Sequence, residues 1–226
     1  MNKYIKTKGR VIAKNRDLYK VKIESLIKDA RVKGSFLHSA EKSSDFPYVG
    51  DWVTVRVYED SVIIEEVIDR KTQISRKVAG VNTEEQIIAV NIDYVAIVLG
   101  LDGGRNYTDR LLERFLAVAW DSGATPLLIL NKADLNNKAE LVKLQAETIA
   151  PGVNILISSA KDGRGISTIY DYLADGKVAA FIGPSGVGKS ALTNVLLNEV
   201  VQKTGELRDN DKRGKHTTSS SVMFQL

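Results

Sequence analysis

At 226 residues the chain can bury one sizeable core plus a small companion, and 43% apolar with 27% charged residues excludes a disordered or low-complexity protein. No run approaches the roughly 18 apolar residues of a spanning helix, Met1-Asn2-Lys3-Tyr4-Ile5 leads into no signal-peptide core, and the lack of cysteine fits a reducing, cytoplasmic setting. The net charge of +4 hides an asymmetry: residues 1–80 carry 17 basic and 11 acidic side chains, 81–200 carry 10 and 14, and 201–226 carry 5 and 3.

Residues 1–70 show period-two alternation in short segments, at 8–13, 18–23, 51–58 and 61–67, with Val53, Val55 and Val57 on one face. This reads as a small antiparallel β domain, and about five strands in that length suit a barrel. The OB-fold is a nucleic-acid-binding version and an SH3-like barrel is its structural rival. The excess of basic groups makes this segment a candidate nucleic-acid surface, while the plainer reading is a solvated basic exterior. Residues 71–86 read as a linker.

From 87 to 226 the pattern changes to short apolar strands alternating with helical runs, the signature of a doubly wound α/β domain. Strands are expected at 94–99, 126–130, 153–157 and 178–182, and helices at 108–119, 138–149 and 165–173, with a fourth starting at Gly188.

Directly after the strand at 178–182 comes Gly183-Pro184-Ser185-Gly186-Val187-Gly188-Lys189-Ser190, a Walker A sequence that opens a helix through Ala191. Its glycines let successive backbone N–H groups face a phosphate, and the helix start favours anionic oxygen. Lys189 is expected to reach the β- and γ-phosphates and the Ser190 hydroxyl to ligate Mg2+. Asn131-Lys132-Ala133-Asp134 follows the strand at 126–130 and matches the NKxD motif of GTP-binding proteins. The Asp134 carboxylate can accept from both N1–H and the exocyclic amino group of guanine, a pair that adenine does not offer. Asn131 is expected to tie this loop to the phosphate loop, and the Lys132 stem to lie over the purine. Ser159-Ala160-Lys161, one strand later, is placed to present a backbone N–H to guanine O6.

Here NKxD and Ser-Ala-Lys precede the phosphate loop, the reverse of ordinary small GTPases, so the domain resembles a circularly permuted GTPase. With a basic β barrel ahead of it, and with Val49-Gly50-Asp51-Trp52-Val53, the stretch 85–93 and Gly214-Lys215-His216-Thr217-Thr218, the whole chain resembles the ribosome small-subunit-dependent GTPase A family, RsgA or YjeQ. The resemblance implies an OB-fold barrel followed by a permuted P-loop GTPase domain. It also implies slow GTP hydrolysis stimulated by the small (30S) ribosomal subunit, a role late in that subunit's maturation, and contact of the barrel with 16S rRNA. A monomer is expected, and the lack of a long apolar run gives no membrane partner. Thr217 and Thr218 align with the first switch, where one threonine contacts Mg2+ and the γ-phosphate.

The family's DxxG motif is absent, since residues 217–226 contain neither Asp nor Gly, and its zinc-binding C-terminal domain would lie beyond Leu226. The expectation is a C-terminally truncated chain with an incomplete GTPase domain. The alternative function is a catalytically impaired fragment that binds RNA and guanine nucleotide without turnover. For Trp52, Trp120 and Phe115 core packing is expected, and for the pairs Glu65-Glu66 and Glu84-Glu85 a solvated surface.

Overall fold

The computed structural model describes residues 4–39, 42–77, 85–204 and 223. The chain divides into two compact units that meet in sequence between Asn91 and Ile92.

In the first unit, β1 (Ile5–Asn15), β2 (Leu18–Ile23), β3 (Leu26–Val32), β4 (Trp52–Val57) and β5 (Val62–Val67) close a barrel in the order β1-β2-β3-β5-β4. A short helix, α1 (Gly34–Ser39), follows β3. Strict alternation sends Val11, Tyr19, Val21, Ala30, Val53, Val55, Val62 and Ile64 into one apolar core. The barrel is not wholly antiparallel as the sequence suggested: β3 and β5 run parallel, because the chain crosses from β3 through α1 and β4 before β5 closes the sheet.

Asp51 follows the turn at Gly50 and is fully buried. Its oxygens accept from Arg70 Nε and Nη2, both at 2.8 Å, and from the Tyr48 backbone N–H at 2.8 Å. Arg70 also donates to the carbonyls of Ser44 and Phe46, so one ion pair fastens the loop before β4 to the segment after β5.

The stretch read as a linker holds a strand. β6 (Gln73–Lys77) pairs antiparallel with β7 (Glu85–Val90), and Ile74, Ile87 and Val90 are buried. Arg10 and Asn91 stitch this hairpin to the barrel: Arg10 Nη2 donates to the Asn91 carbonyl at 2.8 Å, and Asn91 Nδ2 donates to the Gly50 carbonyl at 3.2 Å.

The second unit carries a parallel sheet ordered β10-β9-β8-β11, from β8 (Tyr94–Gly100), β9 (Thr125–Asn131), β10 (Asn154–Ile157) and β11 (Ala179–Ile182). Between and after the strands run α2 (Asp109–Asp121), α3 (Ala139–Ile149), α4 (Ile166–Leu173) and α5 (Lys189–Thr204). β8 and β9 are buried almost throughout, as strands flanked by neighbours should be, whereas all of β11 is half-buried. Among the described residues β11 pairs with β8 alone. The strand order reverses between β8 and β11, which is where ligands sit in open α/β sheets, beyond the carboxyl ends of the strands.

Two aromatic expectations fail. Trp52 is 43% and Trp120 59% exposed. Trp52 is the outward residue beside inward Val53, and on α2 the buried stripe runs through Leu112, Leu116 and Ala119, leaving Trp120 past its edge. Phe115 is half-buried. Glu65 is not a free surface carboxylate either, since it pairs with Arg56 at 2.6 Å and Lys6 at 3.7 Å. Glu84 lies outside the described residues.

Candidate nucleotide-binding site

Four loops leave the carboxyl ends of the four parallel strands, and hydrogen bonds join them. The phosphate loop, 183–190, connects β11 to α5. Two of its glycines are dictated by close approach: a Cβ on Gly183 (φ +143°) would lie 2.1 Å from the Val98 carbonyl oxygen, and one on Gly188 (φ +96°) 2.4 Å from Asn131 Nδ2. Val187 is buried in the core formed by Ala96, Val98, Leu127, Ile129 and Leu192, which anchors the loop while Ser185 and Gly186 stay exposed at its apex. Lys189 Nζ donates to the carbonyls of Gly183 at 2.8 Å and Pro184 at 2.6 Å, and burial pushes its ammonium down from the ordinary 10.5. Ser190 and Ala191 are exposed in the first turn of α5.

The Asn131-Lys132-Ala133-Asp134 loop leaves β9. Asn131 is 1% exposed and all its polar atoms are used: Nδ2 donates to the Val187 carbonyl at 2.8 Å, and Oδ1 accepts from Ser158 Oγ and the Ala160 N–H, both at 3.2 Å. One side chain thereby joins the loops after β9, β10 and β11. Asp134 accepts from Ser159 Oγ at 2.9 Å, with Lys161 Nζ at 3.7 Å. Ser159 is fully buried and its Oγ also receives the N–H groups of Lys161 and Asp162, so it organises the turn instead of capping a helix.

The fourth loop, after β8, went unnoticed in the sequence. Asp102 there accepts from Lys132 Nζ at 2.5 Å and from Asn106 Nδ2 at 2.9 Å. The Lys132 hydrogen bond, aided by Asn106 against the opposing effect of burial, holds the Asp102 carboxyl below its ordinary 3.8. Asn136 Nδ2 donates to the Leu101 carbonyl, and the Leu101 N–H to the Asn131 carbonyl, lacing the two loops together. The signal was present as a carboxylate in a Gly-rich turn, Gly100-Leu101-Asp102-Gly103-Gly104, closing a buried strand at the reversal of strand order.

Thr217, Thr218, His216 and the basic run 212–215 lie outside the described residues. Among the described residues no three His, Cys, Asp or Glu side chains gather as a metal site. Mg2+ fits the oxygen donors at hand, since it is commonly held by one protein hydroxyl or carboxylate together with substrate phosphates, and Ser190 presents an exposed hydroxyl.

The family model for the RsgA GTPase matches residues 67–226. The chain belongs to the RsgA GTPase family. Curated relatives named small ribosomal subunit biogenesis GTPase RsgA include proteins of Oceanobacillus iheyensis (39% identical), Lactiplantibacillus plantarum (37%) and Methanosarcina acetivorans (34%), each matched over 96% of this chain. The chain spans 62%, 61% and 58% of their lengths. Among solved structures, YjeQ from Thermotoga maritima matches with TM-score 0.69 at 26% identity, covering 85% of this chain and 65% of that one. YloQ, described as a circularly permuted GTPase, matches with TM-score 0.65 at 24% identity, covering 88% and 66%, a likeness of fold. The RsgA fold is thus a closed five-stranded barrel with a circularly permuted P-loop GTPase sheet. Among the described residues no helix is long and apolar enough to cross a membrane.

Proposed function

We propose that this chain binds GTP at the carboxyl end of the parallel sheet and hydrolyses it slowly, stimulated by the small ribosomal subunit, in late maturation of that subunit. The observation that carries the nucleotide reading is the Asn131 side chain, which ties a base-reading loop to a phosphate loop through a single buried amide. Asp134, oriented by Ser159, selects guanine, and the Ala160 loop faces O6. Lys132 covers the purine. Residues 183–191 wrap the phosphates, with Lys189 exchanging its loop carbonyls for β- and γ-oxygens. Mg2+ would be held by Ser190 and by Thr217 or Thr218 with phosphate oxygens, supplying neutralisation of the charge on the transferred group. The basic barrel of residues 1–70 contacts 16S rRNA, and a cytoplasmic monomer goes with this reading.

The test is turnover of GTP, with ATP in parallel, by the 226-residue chain with Mg2+ and with or without purified small subunits. Lys189→Ala serves as the control. Subunit-stimulated GTP turnover and a GTP preference above about 100-fold are expected, because the wrong base leaves the half-buried Asp134 carboxylate without its donors from the base. Equal binding of ATP and GTP overturns the base assignment. Tight GTP binding without turnover keeps the base site and overturns catalysis by this chain.

A further inference from the structure

On β1 the residues Thr7, Gly9 and Val11 turn toward the barrel core, so alternation puts Tyr4, Lys6, Lys8 and Arg10 on the outer face. The antiparallel register sets Lys6 opposite Arg56, Lys8 opposite Thr54 and Arg10 opposite Trp52, which makes one continuous face of the two strands. Its two ends are aromatic. At one end Trp52 is 43% exposed with the Arg10 guanidinium 5.2 Å from its ring centre, and Arg10 is itself held by the carbonyls of Gly50 and Asn91. At the other end Tyr4, also 43% exposed, lies 5.6 Å from the Tyr58 ring and 4.5 Å from the Arg56 guanidinium. Six residue rises of extended chain separate Trp52 from Tyr58, roughly 20 Å. Lys6 and Lys8 are exposed between them. Glu65, from β5, sits low in this face with its side chain 11% exposed and orients Arg56 and Lys6.

Exposed rings spaced along a basic track are the chemistry of single-stranded nucleic acid binding, in which each ring takes a base and the cations follow the phosphates. A duplex cannot use such rings, because its bases are already stacked on each other and an RNA helix offers mainly phosphates and 2′-hydroxyls. We propose that the outer face of β1 and β4 binds an unpaired RNA segment, with one base stacked on Trp52, another on Tyr4, and the phosphates between them on Lys6 and Lys8. The span suits the short end of the roughly 4 to 16 nucleotides that an OB-type barrel holds. The proposal rests on the reading of the barrel as an RNA-binding unit.

The chain contains two tryptophans, so Trp120→Phe, at an exposed helix position, leaves Trp52 as sole reporter. The probe is an unstructured 12-nucleotide RNA, with the 12-base-pair duplex of the same sequence in parallel. Expected are quenching of Trp52 by the single strand, none by the duplex, and, with affinity read from the anisotropy of a fluorescein-labelled RNA, a loss of roughly 5- to 150-fold for Trp52→Ala and for Tyr4→Ala. Trp52→Phe, which keeps a stacking surface, restores most of the affinity. Lys8→Gln lowers the slope of log K against log salt by about 0.7. Unchanged single-strand affinity in both alanine variants overturns the face but leaves RNA binding by the barrel standing. Duplex binding tighter than single-strand binding overturns it also. Absence of RNA binding by the parent chain removes the face and the underlying reading together.

Discussion

Asp102 and Gly188 carry consequences that can be measured one side chain at a time. Asp102 and Lys132 are 19% and 26% exposed, so their ion pair is partly desolvated and worth more than a surface contact. Asp102→Asn is expected to lower stability by about 1–3 kcal/mol at neutral pH and to weaken GDP binding by freeing Lys132. The pH dependence has a definite sign. The folded carboxyl titrates below its ordinary 3.8, so the stability it adds is complete above that value and is lost as pH falls through the depressed one. Urea unfolding of parent and Asp102→Asn chains should therefore diverge at pH 6 and converge in acid. Gly188→Ala combines a strained φ with a Cβ 2.4 Å from Asn131 Nδ2. It is expected to cost at least about 1 kcal/mol of stability and most nucleotide affinity, read by equilibrium dialysis with labelled GDP.

Among the elements, the loop before β4 depends on Asp51. Removing one partner of a buried, bidentate ion pair leaves Arg70 with 15% exposure and no counter-charge, so Asp51→Ala should destabilise the barrel by about 3–5 kcal/mol in denaturant unfolding. Replacing the tryptophan next door should have little effect on stability, since Trp52 faces outward. These two neighbours also show what the sequence makes legible. Strands β8 to β11 stand out because they are short apolar runs bounded by loops of recognisable composition, and each loop motif follows its strand directly. The strand β6 carries little pattern in the sequence, because Gln73, Ser75, Arg76 and Lys77 are polar and, among its described side chains, only Ile74 is buried, so its pairing with β7 is visible only in the fold. Asp51 and Asp102 are a single letter each. What distinguishes them is a partner 19 or 30 positions away, which local pattern does not encode. Trp120 stays outside the core because apolar neighbours in sequence are not neighbours on a helix face.

At the scale of the whole molecule, two compact units imply that a ligand of one need not stabilise the other. Guanine nucleotide at 100 times its dissociation constant adds about 2.7 kcal/mol to the unit it binds. Differential scanning calorimetry with GDP should raise the unfolding temperature of the sheet unit while leaving the barrel transition in place, and Lys189→Ala should abolish that shift. A single transition that moves as a whole would show that the units unfold together.

The order of the loops along the chain also sets an order in time. Asn131 leaves the ribosome 56 residues ahead of Val187, whose carbonyl its amide serves. At about 5–20 residues per second, roughly 3–11 s pass between them during synthesis. When Gly183 is added, the nascent chain already contains Asn131 to Asp134 and Ser159 to Lys161, which would read the base, and until then it has none of the residues that would hold the phosphates. In an unpermuted GTPase the phosphate cradle is made first and waits for its base loop. Here recognition is synthesised before the machinery it serves.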